Sequence, residues 1–202
     1  ASDPDGDAIT YNWEQYDLGP ATAEGDSNLR NPSGNQPIFR SWPATSSPTR
    51  VFPRLSDLVR NIVVRGEHLP TYSRDLTFKA TVRDNRAGGG GVTDDTVSYS
   101  VTETAGPFVM TSPNTKVSYL TDSTQTITWD VANTIQSPVN ATTVDIFLSE
   151  DGGLTYPLTL ATGVPNDGSQ DVSIPSIETT RARIKVKASE NIFFDVSNVD
   201  FN

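Results

Sequence analysis

The chain has 202 residues, 35% of them hydrophobic and 8% aromatic, with no cysteine and a formal net charge of −10. That is enough apolar content for a packed core and enough length for two domains of about a hundred residues. The composition excludes disulfide and thiolate chemistry, the acid excess argues against a nucleic-acid partner, and no apolar run approaches the eighteen or so residues of a membrane span.

Asp3, Pro4, Asp5, Gly6 and Asp7 stand at the head of the chain, followed by the alternating Ile9, Tyr11 and Trp13. Carboxylates at every second position crowd negative charge onto a tight Pro/Gly turn, an arrangement suited to a hard cation such as Ca²⁺. The alternative is a solvated acidic turn at the start of a strand. An EF-hand is excluded: its sixth-position glycine is Ala8 here, and along a strand Glu14 lies roughly 23 Å from Asp7. The lack of cysteine suits either a cytosolic protein or a bacterial exoprotein stabilised by Ca²⁺, and the calcium motif favours the second, a secreted, extracellular location.

Period-2 alternation predicts strands over 8–16, 75–84 with Leu76, Phe78, Ala80 and Val82 inward, and 92–103 with Val97, Tyr99 and Val101 inward. Asp84, Asn85, Arg86, Ala87 and four glycines form a hairpin tip between the last two. A sandwich brings that tip near the first turn, so Asp84 and Asn85 join Asp3, Asp5 and Asp7 as candidate Ca²⁺ ligands.

The connection from about 18 to 74 is too long for an ordinary loop. Phe39, Trp42, Phe52, Leu55, Leu58, Val59, Ile62 and Val64 make it apolar enough to pack, and 56–61 suits a turn or two of helix. An ordered insertion lying on the first domain is expected. Seven arginines, Arg30, Arg40, Arg50, Arg54, Arg60, Arg65 and Arg74, fall in a stretch whose only acids are Asp57 and Glu67. With Trp42 among them, Arg40, Arg50 and Arg54 are candidate binding residues, since arginine and aromatic groups dominate binding hot spots. The alternative is that they pin the insertion to the acidic domain beneath.

The strand pattern stops at Thr104, Ala105, Gly106 and Pro107, which places domains at 1–104 and 105–202. Beyond it, short runs are expected near 107–112, 115–120, 123–132, 143–149, 155–162, 169–174, 179–188 and 192–199. With Trp129 central, they suit an immunoglobulin-like sandwich without its disulfide. Asp151, Gly152 and Gly153 read as a hairpin turn rather than a metal site. His68 is the one histidine, so no catalytic triad or zinc cluster can be built around it.

The opening DPDGDAITYNW resembles the start of PKD-like and cadherin-like bacterial extracellular repeats. FPRLSDL, LPTYSRDLTFKATVRDNRAGGGG, AGPFVMTSPNT and STQTITWDVANT together resemble the region that follows the catalytic domain in secreted bacterial zinc metallopeptidases of the reprolysin-like type. VDIFLSEDGGLTYPLTLATGVPNDGS is similar to Ig-like modules of bacterial and fungal exoproteins. The resemblance implies an all-β chain of two tandem β-sandwich domains, PKD-like then Ig-like, the first with a long ordered insertion and lacking the strand that usually precedes its acidic turn. It also implies a non-catalytic accessory region, calcium-stabilised, whose partners are the parent catalytic domain and a protein or polysaccharide substrate. The zinc signature of that family, two histidines four apart around a glutamate, does not occur in this sequence. Rival readings are an adhesion or stalk module of a cell-surface protein, and a carbohydrate-binding module.

Overall fold

A computed structural model describes residues 1–19, 32 and 34–202. Among the described residues the chain is almost wholly β. In order come β1 (Thr10–Gln15), a single helical turn α1 (Leu55–Leu58), β2 (Arg74–Arg83), β3 (Val92–Val101), β4 (Val109–Ser112), β5 (Thr124–Asp130), β6 (Thr143–Ser149), β7 (Leu158–Pro165), β8 (Ser169–Ser173), β9 (Arg183–Ala188) and β10 (Phe194–Val196). Two compact units result, one of Ala1–Leu58 and Val63–Glu103, the other of Val59–Ile62 and Thr104–Asn202.

The first unit is built on an antiparallel sheet of order β1-β2-β3. Its central strand β2 pairs with β3 over ten residues, from Arg74 opposite Val101 to Arg83 opposite Val92. Alternation then sends Leu76 and Phe78 to one face, where both are buried, and Asp75 and Thr77 to the other. Ile38 and Phe39 of the insertion cover that apolar face, and the rings of Phe39 and Phe52 lie 5.9 and 4.4 Å from that of Phe78. Each buried side chain of this size contributes about 1.5–3 kcal/mol.

The expected sandwich therefore takes a different form here: among the described residues the second layer of this unit is the insertion itself, not a second sheet. Pro37, Pro43, Pro48 and Pro53 interrupt it every five or six residues, and proline cannot donate to a ladder. Among its described residues only isolated bridges form, Tyr11 with Thr45 and Phe39 with Glu67. Side chains do the remaining anchoring: Gln15 Oε1 accepts the N–H groups of Ile38 and Phe39 at 2.6 and 2.8 Å. Residues 20–31 and 33 of the insertion, Arg30 among them, lie outside the described residues.

The second unit has two antiparallel sheets, β10-β9-β6-β7 and β4-β5-β8. Val144, Ile146 and Leu148 of β6 and Ile184 and Val186 of β9 share one core with Met110 of β4, Ile127 and Trp129 of β5 and Val172 of β8. The run at 115–120 belongs to neither sheet. It is tied to the end of the chain by two backbone bonds, Tyr119 N–H to the Asn202 carbonyl and Asn202 N–H to the Val117 carbonyl. Val59–Ile62 is held in this unit by Arg183, whose Nη2 donates to the Val59 carbonyl at 3.1 Å, and by Asn61 Nδ2, which donates to the Asn198 carbonyl at 2.8 Å.

Between β6 and β7 the chain turns through Gly152 and Gly153, at φ +82 and +89, where a side chain would be strained. Asp151 organises this turn. Burial works to raise its pKa, but hydrogen bonds from the Thr155 N–H and hydroxyl, the Ser149 hydroxyl and the Leu154 N–H outweigh burial and hold the carboxyl well below the usual carboxylate range. With the folded pKa below the unfolded one, this group adds stability above the unfolded pKa of about 3.9, and that stability is lost as pH falls through the folded value. Asp151→Asn is thus expected to destabilise the second unit at neutral pH and to flatten its acid-side stability profile. Denaturant midpoints followed from pH 7 to strongly acidic buffer check this; parallel profiles for the two proteins would refute it.

Candidate functional site

Two clusters of polar side chains stand out in the first unit. At the acidic turn, Asp3 Oδ1 accepts the N–H groups of Asp5 and Asp7 at 2.9 and 3.0 Å, and Gly6 supplies the positive φ that closes the turn. One oxygen from each of the three carboxylates lies within 4.8 Å of the others. Oxygens at 2.3–2.6 Å from a Ca²⁺ ion stand up to about 5 Å apart, so the residues fit such an ion.

Asp84 and Asn85 are committed elsewhere. The Asp84 carboxylate accepts the N–H of Gly91 at 2.7 Å and of Arg86 at 3.1 Å, bonds that hold its pKa below the usual range. Asn85 Nδ2 donates to the Ala8 carbonyl and Thr10 Oγ1, both at 3.1 Å, stapling the hairpin tip to the start of β1. The tip does approach the acidic turn, as expected, but through a residue not foreseen as part of this group. Arg86 Nη1 lies 2.8 Å from Asp5 and 3.9 Å from Asp7, and supplies a cation of the protein's own. Its place in the glycine-rich tip, opposite a triple-Asp turn, was the available signal.

The second cluster gathers the arginines around Glu67. This carboxylate is fully buried and accepts from Trp42 Nε1 at 2.7 Å, Arg50 Nη2 at 2.7 Å and the Arg54 N–H at 3.0 Å. Arg50 also donates to the carbonyls of Trp13 and Arg40, and its guanidinium stacks 4.3 Å from the Phe52 ring. Burial lowers its pKa despite the Glu67 charge. Arg50 is an internal anchor of the insertion.

Arg40 and Arg54 are placed differently. Both guanidinium groups lie over the Trp42 ring, at 4.6 and 4.0 Å from its centroid. Arg54 also chelates Asp57 through Nε and Nη2 at 2.9 and 3.0 Å. Arg40 is exposed, and among the described residues its guanidinium has no ion-pair partner. Of the four candidate binding residues, then, three form one stack with an outward cation, and the fourth holds that stack from behind. Glu67 is the functional group that residue types alone did not single out. Its signal was that it is one of two acids in a stretch of seven arginines.

No protein-family model matches this chain, and no curated protein matches it.

Proposed function

We propose that this chain is a non-catalytic accessory region of a secreted bacterial metallopeptidase, a tandem of PKD-like and Ig-like β domains that binds an acidic protein or polysaccharide. The observation that carries this reading is the Trp42 ring stacked under Arg40 and Arg54, with Arg40 exposed and unpaired among the described residues. A planar guanidinium takes a carboxylate in two parallel hydrogen bonds, and an indole beneath it fixes the plane in which they form. The Glu67 carboxylate orients the indole, so the surface is organised before a ligand arrives.

Binding is tested by calorimetric titration of the full chain with polygalacturonate and with a poly-glutamate peptide. Arg40→Ser is expected to weaken binding to one of them by about tenfold, the loss of one exposed charge-assisted pair, without lowering the melting temperature. The affinity should also fall as salt rises. No binding to either polymer, or equal binding by the variant, would count against the proposal.

The same reading places one Ca²⁺ at Asp3, Asp5 and Asp7, clamping the turn that leads into β1. An ion bound only by the folded state raises stability by about 2.7 kcal/mol at a hundredfold excess over its dissociation constant. Adding EGTA is therefore expected to lower the melting temperature of the first unit. Arg86→Ala, which removes the competing cation 2.8 Å from Asp5, is expected to tighten Ca²⁺ binding in a calorimetric titration with Ca²⁺. A melting curve indifferent to Ca²⁺ and EGTA would leave the turn to Arg86 alone.

A further inference from the structure

A third grouping, in the second unit, belongs to neither cluster. Lys185 lies on β9, between β10 and β6, with Phe147 directly opposite on β6. Its Nζ is 5.0 Å from the centroid of Phe147, 4.2 Å from that of Tyr156 in the loop after β6, and 5.6 Å from that of Phe194 on β10. Among the described residues the ammonium has no hydrogen bond and no carboxylate within ion-pair distance. Lys79 shows the contrast, its Nζ 2.8 Å from Asp94.

The charges around the box do not neutralise it. On β9, Arg183 and Lys187 flank Lys185 on the same face, and both are cationic. On β6, Asp145 stands opposite Lys187, with Oδ1 occupied by the Gly163 N–H and the Ser189 hydroxyl. On β10, Asp195 is opposite Val186 and so shares the core face, where it accepts the Met110 N–H. In the loop, Asp151 is tied up by Ser149 and Thr155, and β7 carries no charged residue. Among the described residues the buried Tyr156 hydroxyl has no partner, and burial pushes its pKa up, so it supplies no counter-charge. Three rings favour a cation by about 0.5–2 kcal/mol, but they return none of the hydrogen bonds that the ammonium makes in water.

We propose that Lys185 is a nucleophilic amine and the preferred site on this chain for covalent capture of small aldehydes. Burial, with the Lys187 charge beside it, lowers the pKa of the ammonium and so enlarges the share of free amine. The amine lone pair attacks the carbonyl carbon, a C–N bond forms, and the carbonyl electron pair moves to oxygen, which takes up the proton lost from nitrogen. The resulting carbinolamine loses water to give an imine, with no oxidant or reductant required. The surrounding rings then cover the adduct from bulk water.

The chain has only four lysines, Lys79, Lys116, Lys185 and Lys187, so the test resolves each of them. The folded chain is treated at neutral pH with limiting formaldehyde and cyanoborohydride, which traps each imine by hydride transfer to carbon, and the methylated lysines are quantified by peptide mass spectrometry. Lys185 is expected to be labelled about threefold or more faster than Lys116, with Lys79 slower than both, and the order to collapse in urea. Labelling of Lys185 at or below the rate of Lys116 in the folded chain would overturn the proposal. Phe194→Ala, which opens one wall of the box, is expected to bring Lys185 down to the Lys116 rate; an unchanged rate in a folded variant would overturn it equally. The comparison of folded and urea-treated wild-type chain decides the matter should that variant fail to fold.

Discussion

Glu67→Ala is expected to cost the first unit about 3–5 kcal/mol, the range for removing one partner of a buried ion pair. The reason is what the carboxylate leaves behind. Arg50, with a side chain only 11% exposed, would keep its charge and lose its counter-ion. Its buried Nε already has no partner among the described residues, which offer no spare acceptor there. Trp42 Nε1 and the Arg54 N–H would lose theirs in the same step. Glu67→Gln keeps the shape and one acceptor oxygen, and is expected to fall between the two proteins. Denaturant unfolding followed by tryptophan fluorescence checks this, since Trp13 and Trp42 report on the first unit and Trp129 on the second. A change below about 1 kcal/mol would mean that the pair behaves as an exposed one, and that the arginines do not pin the insertion.

In the second unit the matching expectation concerns Asn166→Ala, at about 3 kcal/mol. Asn166 is buried beside the core, accepts from Trp129 Nε1 at 2.7 Å, and donates to Thr134 Oγ1 at 3.0 Å and to the Ala141 carbonyl at 2.8 Å. Each buried polar atom left unsatisfied costs about 1–3 kcal/mol, and the truncation strands the indole N–H and the Ala141 carbonyl together. Trp129→Phe in the Asn166→Ala background removes one of these stranded groups. The double variant should therefore lose less than the sum of its parts. Strict additivity in the denaturation midpoints would show that the amide and the indole are not coupled.

The strands were legible because their signal is local. In β2 and β6 every second residue is apolar, and a period of two carries Leu76 and Phe78, or Val144, Ile146 and Leu148, to one face whatever lies beyond it. The glycine-rich hairpin tip and the single helical turn in the insertion were legible for the same reason, since turn and cap chemistry acts over a few residues. The run at 115–120 shows the limit of that signal: Val117 and Tyr119 alternate correctly, yet their backbone is taken up by Asn202 at the end of the chain and the run joins neither sheet.

The candidate sites were legible as residue types and not as partnerships. Asp3, Asp5 and Asp7 were legible as a group from their spacing on one turn, where one oxygen from each lies within 4.8 Å of the others. That Arg86 approaches them, that Asp84 serves its own hairpin and that Asn85 ties the tip to the start of β1, depends on how β2 and β3 carry the tip past that strand. Arg40 and Arg50 are ten residues apart in one basic stretch, and no local rule separates them. One stands exposed over an indole while the other is bound to Glu67.

By itself, then, the sequence determined an almost wholly β chain with turns at Gly, Pro, Asn and Asp, an apolar insertion able to pack, and the kinds of side chain present at each cluster. Only the tertiary structure decided that the insertion is the second layer of the first unit, that Val59–Ile62 is held by Arg183 in the second, and that Lys185 sits among three rings with no acceptor among the described residues. The physical reason is common to all three. Periodicity and turn chemistry act over a few residues, whereas a buried polar group must be satisfied by whatever the fold brings to it, and Glu67, Asn166 and Arg183 find their partners up to 124 residues away.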